Sequence, residues 1–356
     1  MKIAFLNIYC GVINRGGETF TKELAGNLSG NNEVTVFQTG KSQGDEKYQV
    51  VEIPVNWNWK KKSGEGTFIS KLFLDYWNLQ IFLFTFRSLP LIFKRRFDVV
   101  IPVNGGWMPA ILRIATWLTA SKLVITGQSG IGWDDKNNIW CFPDAFVALS
   151  SSALVWAKKV NPFVKYVYIP NGTNLNTFNP VGEKFRINLK SPIIFCDSAF
   201  TSQKRIDLVI EAVSKIKDTS LLVAGGSGDL KEYLEKIGKE KLGERFKLIS
   251  VEYSQINKIL RSVNVFTLAS TPTEAFGISI IQALATNIPA VVNDDPIRRE
   301  ILGDAGLFID PTDSESYTKA LIKALSTDWG NLPRIQAERF SWDIIGKQYE
   351  KLLTTL

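Results

Sequence analysis

The chain contains no histidine, only three cysteines and only two methionines in 356 residues. Without imidazole there is no Ser-His-Asp or Cys-His nucleophile relay, no histidine-rich zinc site, and no access to the commonest general base. Whatever chemistry occurs must use carboxylates, lysine, arginine, amides or the substrate itself. Cys10, Cys141 and Cys196 are an odd number without close spacing, so no disulfide framework is expected. Long apolar runs are missing too: the most apolar stretch, Leu79 to Phe86, is short and contains Gln80 and Thr85, against about 18 uninterrupted apolar residues for a membrane span. The opening M-K-I-A-F-L-N is not a basic and then apolar leader. Together these absences predict a cytoplasmic protein, soluble or peripheral at the inner membrane face.

What is present is ordinary in amount and uneven in placement. An apolar share of 45% with 22% charged residues, 26 Gly and 14 Pro is a globular composition. The length exceeds the roughly 250–300 residues at which single cores stop growing, which predicts two domains. Residues 1–180 hold 19 Lys+Arg and 12 Asp+Glu, whereas residues 181–356 hold 23 of each, so the whole net charge of +7 lies in the first half. Eight of the ten Trp lie there as well. The two halves are expected to face different partners.

Short β-prone runs alternate with helical patterns along the entire chain. In the first half they are Lys2 to Ile8, Val34 to Phe37, Val50 to Val55, Asp98 to Val103, Leu123 to Thr126, Ala145 to Leu149 and Tyr166 to Ile169. They resume at Pro192 to Asp197, Leu221 to Ala224, Phe246 to Ser250, Val265 to Ala269, Pro289 to Val292 and Leu307 to Ile309. Strand–helix alternation builds a parallel sheet covered on both faces, so the fold expected is α/β, with two doubly wound units in succession. Between them Ile169-Pro170-Asn171-Gly172-Thr173-Asn174 breaks both patterns. We place one domain at 1–175 with the last helix, about 342–356, returning to it, and the other at 176–341.

The most specific segment is S-T-P-T-E-A-F-G-I-S-I-I-Q-A-L-A, from Ser270 to Ala285. A buried strand leads into a polar loop and then a helix starting near Gly277. Open α/β sheets bind ligands beyond the carboxyl ends of their strands, and a helix N-terminus offers free N–H groups to phosphate. Glu274 and Gln282 would then face one cleft; alternatively, Glu274 merely complements the helix dipole and Gln282 is solvated. Gly16-Gly17 follows the first strand, and Gly225-Gly226-Ser227-Gly228 follows the strand at 221–224. Either glycine cluster suits a phosphate approach or a tight turn. Lys204-Arg205 is a diphosphate-neutralising pair or a solvated first turn.

The sequence E-A-F-G-I-S-I-I-Q from Glu274, continuing into A-L-A-T-N-I-P-A-V-V, resembles the signature of retaining glycosyltransferases with the GT-B fold, group 1 or family four. The resemblance extends through G-G-E-T-F-T-K-E-L-A from Gly16, I-P-N-G-T-N from Ile169, K-R-I-D-L-V-I-E-A from Lys204 and A-G-L-F-I-D-P from Ala305. It implies two Rossmann-like domains facing a central cleft, the first holding the acceptor and the second a nucleotide-sugar donor. It also implies that Glu274 contacts the donor sugar, that Gly277 and Ile278 offer N–H groups to the diphosphate, and that Lys204 neutralises it. Gly16, Gly17, Arg205, Gly226, Phe276 and Gln282 complete the donor-binding set, with Glu274, Lys204 and Gln128 as the catalytic residues. A fixed ammonium and helix-end N–H groups stabilise a departing diphosphate without a metal, and the chain contains no Asp-x-Asp triplet. No cofactor or metal is expected.

The sequence departs from that pattern at three places. The second Glu of the signature is Gln282, the Arg that usually precedes the Lys is replaced at about Ala199, and Gln128 stands in for a histidine of the N-terminal half. The implied reaction transfers a sugar to a hydroxyl of a glycan or lipid-linked acceptor in cell-surface glycan or glycolipid synthesis. The alternatives are a catalytically silent partner subunit and a sugar-nucleotide epimerase.

One further segment, residues 57–96, carries Lys60-Lys61-Lys62 and Lys94-Arg95-Arg96 at its ends. Phe68, Leu72, Phe73, Tyr76, Trp77, Leu79, Phe82, Leu83 and Phe86 lie between them. Such a segment suits an anionic membrane surface. Packing of a long helix against the first sheet is the reading preferred for most of these aromatics. No nucleic-acid module accompanies the patch, so nucleic acid is not an expected partner.

Overall fold

The computed structural model describes residues 1–13, 15–56, 58, 68–226 and 228–356. Asn14, Trp57, the Lys60-Lys61-Lys62 cluster and Ser227 lie outside the described residues. The chain divides into one unit of Met1–Asn171 with Trp342–Leu356 and a second of Gly172–Ser341. The division falls at 171 and not at 175, for a local reason. Thr173 N–H donates to the Phe340 carbonyl at 2.8 Å, and Arg334 donates to the carbonyls of Leu175 and Phe178 at 3.3 and 2.8 Å. These bonds tie the residues after Asn171 to the second unit.

In the first unit the described strands are β1 (Lys2–Leu6), β2 (Glu33–Gln38), β3 (Gln49–Glu52), β4 (Val99–Pro102), β5 (Lys122–Thr126), β6 (Ala145–Ala148) and β7 (Tyr166–Tyr168). They form one parallel sheet in the order β3-β2-β1-β4-β5-β6-β7. The helices are α1 (Gly16–Leu28), α2 (Phe68–Lys71), α3 (Tyr76–Arg95), α4 (Met108–Thr119), α5 (Trp133–Trp140) and α6 (Ser151–Val160). Ile81, Phe84 and Ile92 of α3 and Met108 and Leu112 of α4 pack on one sheet face, and Phe20, Leu24 and Leu28 of α1 on the other.

The second unit repeats the plan with β8 (Ile193–Asp197), β9 (Ser220–Ala224), β10 (Phe246–Ile249), β11 (Val265–Leu268), β12 (Ala290–Asn293) and β13 (Gly306–Ile309), ordered β10-β9-β8-β11-β12-β13. Its helices are α7 (Ile206–Ser214), α8 (Lys231–Leu242), α9 (Tyr253–Leu260), α10 (Ile278–Ala285), α11 (Pro296–Leu302), α12 (Ser314–Ser326) and α13 (Leu332–Glu338). The last helix, α14 (Trp342–Thr354), belongs to the first unit. Trp342 and Tyr349 set their rings 6.2 and 6.1 Å from that of Phe20 on α1. A Cβ at Gly346 would stand 1.7 Å from Asn27 Oδ1, so glycine is what lets α14 lie this close to α1.

Both sheets reverse strand order at one place, between β1 and β4 and between β8 and β11. Loops leaving neighbouring strands in opposite directions open a crevice at such a switch point, where doubly wound sheets hold their ligands.

The aromatic segment overturns the preferred core reading. None of Phe68, Leu72, Phe73, Tyr76, Trp77, Leu79, Phe82, Leu83 and Phe86 is fully buried. Helix α3 is capped by Asp75, whose Oδ1 accepts from Trp77 N–H at 2.9 Å, and it buries Gln80, Ile81, Phe84, Thr85, Ser88 and Ile92 instead. The wrong side was assigned to the core because the helical period fits both sides of this sequence.

Candidate active site at the switch points

In the second unit, the loops after β8 and β11 bring together the residues that the sequence singles out. Lys204 ends a short turn after β8, and its Nζ donates to Glu274 Oε2 in the loop after β11. Both side chains are about four-fifths covered, at 20% and 19% exposure. The pair is therefore largely covered yet still within reach of solvent.

The loop that carries Glu274 is clamped from behind. Arg205 donates from Nε to the Ala269 carbonyl and from Nη2 to the Ser270 carbonyl, each at 2.7 Å. Asn293, at the end of β12, donates to the same Ser270 carbonyl at 2.5 Å. Arg298 on α11 is 1% exposed, and it donates to Ser270 Oγ at 3.0 Å and to the Glu274 carbonyl at 3.2 Å. Asp295 lies 3.4 Å from the same guanidinium. Buried charges are tolerated only when paired and hydrogen-bonded, and here the bonds of Arg298 hold the loop. Arg205 has its guanidinium on backbone carbonyls, which gives it a positioning role in the loop.

Gly277 precedes α10 with φ +98°, in the region that favours glycine, and a Cβ there would meet Ile280 Cδ1 at 2.9 Å. The reversal starts α10 at Ile278. Phe276 is 3% exposed and sets its ring edge-on to Phe340 at 6.0 Å, so its side chain anchors the loop from the core side. Gln282 is not solvated: it is 3% exposed, and Nε2 donates to the Tyr253 hydroxyl at 2.7 Å. Gly226 is exposed, and an added Cβ would meet nothing within 4 Å. The glycines required there are Gly225 and Gly228, where a Cβ would stand 2.3 Å from the Ser198 carbonyl oxygen and 2.2 Å from that of Phe200.

Sequence reading missed four participants: Asn293, Arg298, Tyr253 and Asp197. Asp197 ends β8, and burial pushes its carboxyl up to about 7 against the opposing pull of Lys204. Its position at the end of the central strand was the available signal. Arg298 and Asn293 carried none, since both lie about twenty residues beyond the loop that they hold.

The first unit presents a milder counterpart. Gln128, just past β5, exchanges two amide hydrogen bonds with Asn171, each 3.1 Å long. Behind it Asp135 is 2% exposed and accepts from Asn138 Nδ2 at 3.1 Å. Burial pushes Asp135 up to about 8, opposed by hydrogen bonds from Asn138 and from the Gly130 and Ser129 backbone. After β1, which flanks the switch point, Gly16 and Gly17 open α1. Glu18 Oε2 accepts from the Arg15 N–H at 3.0 Å, and the Arg15 guanidinium lies 4.6 Å over the Tyr9 ring. A Cβ on Gly17 would meet only Val103 Cγ1, at 3.8 Å. Packing within the chain thus does not demand glycine at 17.

Residues 181–340, nearly the whole second unit, match the family described as glycosyl transferases group 1. The second unit belongs to that family. Among relatives of known sequence, an uncharacterized glycosyltransferase of Methanocaldococcus jannaschii is 32% identical over 162 residues, 42% of this chain and 41% of the relative. A phosphatidyl-myo-inositol mannosyltransferase of Mycolicibacterium smegmatis is 26% identical over 203 residues, 53% of this chain and 52% of the relative. These matches span about half the length of the relatives or less. Among solved structures, sucrose-phosphate synthase from Thermosynechococcus elongatus superposes with a TM-score of 0.78 at 17% identity over 99% of this chain and 98% of that one. Anabaena HepE, in complex with UDP and glucose, gives 0.76 at 14% identity over the full length of both chains. At such identities the likeness is one of fold, and that fold is GT-B. Within the group 1 glycosyl transferase unit, Lys204 and Glu274 stand on the two loops that flank the switch point.

Proposed function

We propose that the protein is a retaining glycosyltransferase that moves a sugar from a nucleoside diphosphate sugar to an acceptor hydroxyl in glycan or glycolipid synthesis. The observation that carries this reading is the Lys204–Glu274 pair, whose carboxylate stands on a clamped loop that leads into α10. Without ligand, each group neutralises the other. A bound diphosphate would draw the ammonium to itself and leave the carboxylate to accept hydrogen bonds from sugar hydroxyls.

In the transfer step the bond between the anomeric carbon and the phosphate oxygen breaks, and its electron pair leaves with the diphosphate. Lys204 and the N–H groups of Gly277 and Ile278 stabilise that growing charge. Because Arg205, Asn293 and Arg298 already hold the loop, little reorganisation accompanies the step. The acceptor oxygen bonds to the anomeric carbon on the face the phosphate leaves, and its proton passes to the departing phosphate oxygen. No histidine is needed, and the cationic duties fall to Lys204 and the helix end without a metal. Gln128 serves as a neutral hydrogen-bonding group, and the first unit holds the acceptor.

The support for a nucleotide sugar is the family of the second unit, together with the UDP and glucose bound by Anabaena HepE. A glycolipid or glycan acceptor follows the mycobacterial relative. A thermal-shift screen against UDP, GDP, ADP and their sugars tests the donor, since a ligand at 100 times its dissociation constant stabilises by about 2.7 kcal/mol. Stabilisation by one nucleotide family, followed by acceptor-dependent transfer that survives EDTA, is the expected result. Acceptor-independent isomerisation of the sugar nucleotide would overturn it in favour of an epimerase. The amide at 282 favours a second reading, a catalytically silent partner subunit, which binding without any turnover would support.

A further inference from the structure

Helix α3 turns its most apolar side to solvent. Leu79, Phe82, Leu83, Phe86 and Phe93 are 37–61% exposed and fall at i, i+3, i+4, i+7 and i+14, a single stripe. Phe82 and Phe86 stack on each other with ring centroids 6.2 Å apart. The side facing the sheet carries Gln80, Thr85 and Ser88 among its buried residues. Helix α4, packed beside α3, repeats the arrangement with Ile114, Trp117 and Leu118, which are 58%, 64% and 72% exposed. Because α3 and α4 bury their other sides in one cluster on one sheet face, both stripes look outward from the same layer.

The charge on α3 and α4 has one sign, while α5 on the same sheet face carries the exposed Asp134. Helices α3, α4 and α6 contain no Asp or Glu. Arg87, Lys94, Lys158 and Lys159 on these helices, and Arg96 at the end of α3, are exposed. Soluble proteins rarely leave so large an apolar face uncovered without a partner for it. Two such faces from two copies would set the cations of α3 against one another with no acid on α3 or α4 to pair them. An anionic bilayer supplies both what the stripes need and what the cations need.

We propose that the α3–α4 face docks on an anionic lipid bilayer, with Phe82, Phe86, Trp117 and Leu118 entering the headgroup–acyl boundary and the surrounding cations meeting lipid phosphate. The chain lies on the membrane there; among the described residues no helix is long and apolar enough to cross it. This docking is independent of the transfer chemistry and goes beyond it.

Co-sedimentation of the full chain with vesicles tests the proposal, using phosphatidylcholine alone and phosphatidylcholine with about a third phosphatidylglycerol. The protein should pellet with the anionic vesicles, much less with the neutral ones, and progressively less as salt rises. Phe86→Ser with Leu118→Ser should weaken binding more than about tenfold, by removing the most exposed apolar group of each stripe. Lys94→Glu with Lys158→Glu should weaken it by a similar factor on anionic vesicles only. All four positions are exposed, and an unchanged far-ultraviolet spectrum and melting temperature verify the fold. Three results would overturn the proposal: no pelleting, equal pelleting on both vesicle types, or full binding by the Phe86/Leu118 variant. So would a concentration-dependent dimer in sedimentation velocity that the same variant abolishes, because the face would then be covered by a second copy.

Discussion

The two units share a strand order around the switch point and differ in almost everything added to it. The first holds 21 Lys+Arg against 14 Asp+Glu, and the second holds 21 of each. Among the described residues, 22 exposed large apolar side chains lie in the first unit and five in the second. At the switch-point end of its sheet the second unit sets a lysine–carboxylate pair on a loop gripped by two arginines, whereas the first sets a reciprocal amide pair near a buried acid. One sheet topology thus carries a charged, clamped loop in one case and an amide pair, with an apolar outer layer on α3 and α4, in the other. The scaffold fixes where a ligand can sit; the side chains on a few loops fix which chemistry it meets.

Four experiments would break or sharpen that contrast. The largest effect should come from Glu274→Gln, which removes the charge from the clamped loop while leaving its shape. Transfer should fall roughly 10²- to 10³-fold with the fold intact, whereas Gln128→Ala in the first unit should cost about tenfold or less. Wild-type turnover by Glu274→Gln with its best donor would end the sugar-contact assignment.

Next in size is Arg298→Met, which strands Asp295 and frees the loop carbonyls. It should destabilise the second unit by about 3 kcal/mol. Nine of the ten Trp lie in the first unit, so urea unfolding watched by tryptophan fluorescence should barely move while the far-ultraviolet transition shifts to lower urea. A coincident shift of both signals would refute independent units.

A smaller effect concerns the buried acid of the first unit. Burial raises Asp135 to about 8, so the folded chain keeps a proton that the unfolded chain has released. Stability from this group therefore falls as pH rises from about 4, the unfolded value, to about 8, and then levels. Asp135→Asn abolishes the linkage, and its melting temperature should gain on the wild type by at least about 2–4 °C between pH 5 and pH 8, the shift that 1 kcal/mol produces in a domain of this size. A constant difference between the two proteins across that range would show that Asp135 ionises freely.

The smallest is Gln282→Glu. The Tyr253 hydroxyl can reverse and donate to the new carboxylate, and a charge-assisted bond to a donor hydroxyl should tighten donor binding about fivefold, roughly 1 kcal/mol. An unchanged constant in titration calorimetry would reduce Gln282 to a support for Tyr253.

Much of this molecule could be read before it was folded. Every strand expected from β-prone runs is present, since a strand buried on both faces announces itself by a short continuous apolar run whatever surrounds it. The motif around Glu274 was legible because loop, glycine reversal and helix are contiguous in sequence. Arg298 and Asn293 were not, because their bonds join loops after different strands and leave no local pattern. That Phe276 and Gln282 are buried was not legible either, because motif spacing says nothing of which side of a loop is dry.

The sequence by itself determined the parallel two-unit plan, the family signature of the second unit and the concentration of charge in the first. These follow from periodicity, composition and contiguous residues, all local properties. Only the tertiary structure decided which face of α3 is buried, that Lys204 meets Glu274 across 70 positions, and that Arg205 and Arg298 grip a loop. Those outcomes depend on which strands lie side by side, and strand order is set by packing of the whole sheet and not by any one segment of it.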